Sequence, residues 1–108
     1  MSRYGKGELV TILDDEEFLS SIFRKWTFRI ISLLSGGPPR RYNSIKRELG
    51  GITPYSLSQE LRRLEDLNVI QRIVTPDKPP SVSYSLTAKG WELKSIVTEI
   101  EDWKKRWS

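Results

Sequence analysis

Residues 43–67, NSIKRELGGITPYSLSQELRRLEDL, decide the fold. The stretch reads as two short helices joined by a tight turn. The first runs from Asn43 or Ser44 to about Leu49 and stops at Gly50-Gly51. Glycine takes the left-handed backbone that ends a helix without a Cβ penalty. Ile52 is apolar and is expected to plug the corner. Thr53 is an N-cap whose hydroxyl accepts an orphan backbone N–H. Pro54 follows at the first helical position, where its missing N–H costs nothing. The second helix, residues 54–67, places Leu57, Leu61 and Leu64 on one face at helical spacing. Its opposite face carries Tyr55, Ser58, Gln59 and Arg62, with Ser56 and Arg63 at the edges. Hydroxyl, amide and guanidinium groups are the side chains that read base edges and phosphates. The pattern is that of a helix-turn-helix with the second helix as reader.

The totals bound what surrounds this unit. A chain of 108 residues has room for one domain and one modest core. With 37% hydrophobic and 30% charged residues it reads as globular rather than disordered. The net charge is +4, and from Arg40 to Arg72 seven basic residues face four acidic ones. The excess therefore gathers in and around the helix-turn-helix, as an anionic partner requires. Cysteine and histidine are both absent. That excludes disulfides, thiol redox chemistry, thiolate metal sites and histidine acid–base catalysis. No apolar run approaches a membrane span, and the N-terminus lacks a signal-peptide core. The expected location is cytoplasmic.

Upstream, residues 1–13 read as a polar arm ending in a short apolar run, Leu9 to Leu13, either a small strand or a lead-in. Residues 14–108 then form the domain. Asp14 to Glu17 suit the positive end of a helix dipole; as a cation site they lack a glycine-bearing loop. No metal or cofactor is expected. Phe18, Leu19, Ile22 and Phe23, then Trp26, Ile30, Ile31, Leu33 and Leu34, predict one or two helices over about 15–35. Arg24-Lys25 marks a break between them or a polar stripe. Trp26 is read as a core residue rather than a ligand-stacking platform. Gly36-Gly37-Pro38-Pro39 ends the helix. Arg40 and Arg41 beyond it meet phosphates or sit in a solvated loop; both readings stand.

Downstream, Val69–Thr75 is β-branched and reads as a strand, and Val82–Leu86 alternates apolar and polar as a second. Pro76-Asp77-Lys78-Pro79-Pro80 between them cannot continue a ladder and must be a loop. A hairpin directly after a helix-turn-helix is a wing, here residues 75–82, with Lys78 as its cation. Arg72, within the first strand, is read as orienting the reader helix. Thr87 caps a last helix, and Gly90 near its start implies a close backbone approach. That helix presents Leu93, Ile96, Ile100, Trp103 and Trp107 at alternating spacings of three and four, a heptad seam. Trp91 and Val97 add a second apolar flank. A rod of about 30 Å cannot bury this whole seam against so small a domain, so a second subunit is expected to cover it.

In this order the pieces resemble the HxlR-type winged-helix transcriptional regulators, relatives of the MarR and ArsR groups. The resemblance is carried by Lys25-Trp26-Thr27, by Gly51-Ile52-Thr53, and by Leu57-Ser58 and Leu61 to Glu65 in the reader helix. It continues through Val69-Ile70, Arg72, the run from Pro76 to Thr87, and Lys89-Gly90. It covers about residues 16–107, and the proline-rich wing running into Tyr84-Ser85-Leu86-Thr87 is its most specific part. The resemblance implies a homodimer built from the first and last helices, with reader helices in adjacent major grooves and wings on the backbone or minor groove. Many members sense electrophiles or oxidants through a cysteine near the N-terminus, which this chain lacks. The family wing often carries a basic residue after the Pro-Pro pair, and here Ser81 stands there.

The expected fold class is thus mainly α (α+β): a winged helix-turn-helix with a two-stranded wing and a long C-terminal dimerisation helix. The expected function is sequence-specific regulation through a pseudo-palindromic operator in double-stranded DNA. Base contacts are assigned to Tyr55, Ser58, Gln59 and Arg62, with Thr53 and Ser56 at the helix start. Backbone contacts fall to Arg63, Arg40, Arg41, Lys46 and Lys78; Lys46 and Arg47 equally suit a solvated face. The dimer interface is assigned to Phe18, Ile22, Leu93, Ile96, Ile100, Trp103 and Trp107. A cavity between the dimer helix and the DNA-binding part would suit a small apolar effector. The alternative is a winged-helix protein–protein interaction module without DNA readout. No constellation of acid and base points to an enzyme.

Overall fold

The computed structural model describes Ser20 and residues 24–108. The expectations for the arm, for the acidic helix start and for Phe18 and Ile22 lie outside those residues. Arg24 is extended, with φ −80° and ψ 154°, and α1 starts after it at Lys25–Leu34. The Arg24-Lys25 step is therefore a break, not a stripe on a continuous helix. Thr27, Ile30, Ile31 and Leu34 supply its buried face.

A two-residue strand, β1 (Arg40–Arg41), leads into α2 (Tyr42–Leu49). Gly50 and Gly51, at φ 61° and 77°, make the left-handed corner, and Ile52 is buried within it. Thr53 caps α3 (Pro54–Asp66) by accepting the Ser56 N–H at 3.1 Å, with Pro54 at the first turn. Leu57, Leu61 and Leu64 are buried together with Ile45 of α2 and Ile30, Ile31 and Leu34 of α1. Each such side chain contributes roughly 1.5–3 kcal/mol on burial. These three helices and the sheet therefore share one core.

The hairpin is β2 (Ile70–Thr75) and β3 (Ser81–Leu86), paired antiparallel from Ile70↔Leu86 to Thr75↔Ser81. The sheet differs from the expected two-stranded wing. It has a third strand in the order β1-β3-β2, with Arg40 opposite Tyr84 and Arg41 opposite Ser83. Arg40 and Arg41, read as phosphate contacts or a solvated loop, thus close one edge of the sheet. At the tip Thr75 Oγ1 donates to Asp77 Oδ2 at 2.9 Å and touches the Ser81 hydroxyl.

The last helix, α4, spans Ala88–Arg106. Thr87 Oγ1 accepts the Gly90 N–H at 3.0 Å and donates to the Asn68 carbonyl at 2.5 Å. Its backbone N–H donates to the Val69 carbonyl at 3.1 Å, and Lys89 Nζ donates to the Leu67 carbonyl at 2.8 Å. The carbonyls just past the end of α3 are thereby held by the first turn of α4. The close approach expected at Gly90 is present: a Cβ there would lie 2.1 Å from the Val69 carbonyl oxygen. Among the described residues, no helix is long and apolar enough to cross a membrane. None of their acidic groups cluster to hold a metal ion.

Candidate nucleic-acid interface

The outer face of α3 follows from its inner one. With the leucines buried, helical spacing sends Tyr55, Ser58, Gln59 and Arg62 to the far side, where all four are exposed. Tyr55 is 75% exposed, more than a phenol needs for packing at home. The four side chains line one shallow hollow of about 200 Å³. The i, i+4 pair between Arg62 and Asp66 that would compete for this guanidinium does not form. Ser56 is half-buried beside the cap, and the Thr53 hydroxyl is engaged by the Ser56 N–H.

Two hydrogen bonds at this face had no sequence signal. The Tyr42 hydroxyl donates to the Pro54 carbonyl at 3.1 Å, and the Ser58 hydroxyl leans on it at 3.5 Å. Tyr42 thus ties the start of α2 to the start of α3.

The basic residues divide. Arg41 is exposed and, with Tyr42 and Asn43, faces the wing residues Asp77, Pro79, Pro80, Ser81 and Val82 across a hollow of about 340 Å³. Lys78 is exposed at the wing tip beside Asp77, so the tip carries one charge of each sign. Lys46 is half-buried and Arg47 exposed, both in the last turn of α2. Arg72 is exposed on β2. Arg40 is not free: its Nη1 bonds Glu48 Oε1 at 2.5 Å.

Arg63 departs most from its assignment to phosphate. Its Nη2 donates to Thr27 Oγ1 at 2.7 Å and to Glu60 Oε2 at 2.5 Å. Its side chain is 21% exposed and that of Glu60 12%. The guanidinium is turned toward α1, where Thr27 and Glu60 meet it. The sequence reading missed Glu60. Its spacing three residues before Arg63 was the available signal.

The assigned dimer residues also divide. Leu93 packs partly against the core, while Ile96, Ile100, Trp103 and Trp107 are 53%, 45%, 56% and 77% exposed. Val97 is the last residue of α4 buried at home; every residue from Thr98 to Ser108 is exposed. Trp26, read as a core residue, is half-buried at the edge of the core with Lys25 and Arg29 over its ring. Between α1, α2 and α4 lies a cleft of about 750 Å³, lined by Phe28, Leu33, Leu49, Val97 and Ile100 with Arg29, Ser32, Glu48 and Glu101.

Comparison with known proteins agrees with this geometry. Residues 21–108 match the model of a family described as HxlR-like helix-turn-helix. An uncharacterized HTH-type transcriptional regulator, BH0655 of Halalkalibacterium halodurans, is 39% identical over 95% of this chain and 92% of its own. The HTH-type transcriptional regulator YodB of Bacillus subtilis is 32% identical over 82% of this chain and 78% of its own. The solved structure of the reduced form of YodB superposes with a TM-score of 0.75, covering 82% of this chain and 85% of that one.

Proposed function

The chain belongs to the HxlR-like helix-turn-helix family, and on that premise we propose that it regulates transcription as a homodimer reading a two-fold operator. It is a DNA-binding regulator and not an enzyme. In the proposed mode α3 enters the major groove with Tyr55, Ser58, Gln59 and Arg62 toward the base edges. The observation that carries this is the exposure of all four on the face opposite the buried leucines. In this mode Gln59 pairs bidentately with adenine, and Arg62 with guanine. Thr53 and Ser56 bring the cap of α3 toward the backbone, where the positive end of its dipole favours phosphate. Arg41, Lys46 and Lys78 supply sequence-independent phosphate contacts. Arg40 and Arg63 are withdrawn from that role by Glu48, Glu60 and Thr27.

The homodimer is supported by the bare apolar face of α4. Ile96, Ile100, Trp103 and Trp107 pair with the same residues of a second copy in an isologous contact. Two readers so joined address half-sites about 34–36 Å apart, one turn of DNA. A small apolar effector has its seat in the cleft between α1, α2 and α4, which meets both the reader unit and the dimer helix.

Selection of binding sites from random duplex DNA, followed by titration of Arg62→Ala at fixed salt, tests the reading. The selected motif should be two-fold symmetric. Arg62→Ala should lose roughly 1–3 kcal/mol and relax preference at one base pair per half-site. Unchanged operator affinity would refute the role of Arg62. Absence of any salt-sensitive DNA shift would favour a protein–protein module built on the same fold.

A further inference from the structure

A partly buried ionic cluster sits on the side of α3 turned toward α1. Thr27, with none of its surface exposed, donates to Glu60 Oε2 at 3.3 Å and accepts from Arg63 Nη2 at 2.7 Å. Glu60 and Arg63 bond each other at 2.5 Å, and Arg24 Nη1 reaches within 3.9 Å of Glu60 Oε1. A buried ion pair gives little net stability over apolar packing of the same volume. What leucines do not provide is a defined rotation, because apolar contact is non-directional. Hydrogen bonds have narrow ranges of distance and angle. The three leucines hold α3 against the core, and the cluster holds its roll.

Roll matters to a reader. At a helix radius of about 6 Å, a 20° rotation moves the outer side chains by roughly 2 Å. That shift exceeds the spread of normal hydrogen-bond lengths, so it breaks a bidentate base contact. It leaves phosphate contacts by long lysines intact, since these are point charges on flexible stems. We infer that Thr27, acting through Arg63 and Glu60, is a positioning residue for base readout, holding α3 at the roll that presents Gln59 and Arg62 squarely to the groove. This rests on the assignment of the reader face to α3.

The test compares Thr27→Val, which keeps shape and removes the hydroxyl, with Thr27→Ser, which keeps it. Each protein is titrated at fixed salt with the selected operator and with a scrambled duplex, and its thermal melt is recorded. Thr27→Val should bind the operator roughly tenfold more weakly, the worth of about one base contact, with scrambled-duplex affinity unchanged. Thr27→Ser should stay near the parent. Should Thr27→Val fail to fold, Arg63→Lys, which keeps the charge and loses the planar fork, is expected to lower the same ratio. A parental ratio in Thr27→Val overturns the inference. So does a parallel loss on both duplexes that follows a lowered melting temperature, and so does a Thr27→Ser protein as poor as Thr27→Val. Gln59→Ala and Arg62→Ala in the same assay separate the two readings. If they lower the ratio and Thr27→Val does not, the positioning role alone fails. If neither lowers it, the reader face and the positioning role fail together.

Discussion

Trp103→Ala should divide the proposed dimer without disturbing the fold of either half. Trp103 is 56% exposed on α4. A tryptophan of about 250 Å² then leaves roughly 140 Å² of indole open to a partner. At about 25 cal/mol per Å², covering it contributes roughly 3.5 kcal/mol per subunit. An isologous interface counts each substitution twice, giving an upper bound of about 7 kcal/mol. That is roughly five decades in dimer dissociation constant. The monomer loses almost nothing, since exposed substitutions stay within about 0.5 kcal/mol. Analytical ultracentrifugation over a wide dilution series reads the change directly, with Asp102→Ala, exposed and off the apolar face, as the control. Trp103→Ala should sediment as a monomer where the parent and the control are dimers, with a melt of the dissociated chain like theirs. A variant as dimeric as the parent refutes the α4 interface. A parent protein that is monomeric while saturating its operator refutes the dimer altogether.

Other perturbations act on the scaffold and on the backbone contacts. Gly90→Ala drives a methyl into the Val69 carbonyl, a backbone atom 2.1 Å away. It should lower stability by about 3 kcal/mol, seen as an earlier urea midpoint; an unmoved midpoint contradicts the close approach. Thr53→Ala removes the cap that holds the Ser56 N–H. It should lower stability by about 1 kcal/mol in the same experiment, and no loss would mean that the cap is dispensable. Lys78→Ala and Lys46→Ala should each weaken all duplexes alike and flatten the salt dependence by about one unit. A loss confined to one sequence would move that lysine from the backbone to the bases.

The parts legible in the sequence were those written in local spacing. Thr53-Pro54 announced the start of α3, Gly50-Gly51 the corner, and Leu57, Leu61 and Leu64 the buried side, which fixed the outward side by elimination. Val82 to Leu86 announced its strand by alternation. What escaped the reading depends on residues far apart in the chain. Arg63 sits at the border of the two faces of α3, and its direction is decided by Thr27, thirty-six positions earlier. Arg40 and Arg41 form a strand because β3 offers them an open edge; two residues are too few to show a period. The same distance effect hid Tyr42, whose hydroxyl meets the Pro54 carbonyl twelve positions on, across the corner.

The root of α4 and its outer half are mechanically different objects. The root is stitched by Thr87 and Lys89 to the peptide units of Leu67, Asn68 and Val69, which ties it to the end of α3. From Thr98 onward every residue of the rod is exposed, and only Ile100 and Glu101 still line the cleft against α1 and α2. In the proposed dimer, mate choice would therefore be separable from sequence choice. The outer part of α4 could be exchanged for another seam while the proposed reader face on α3 stays as it was.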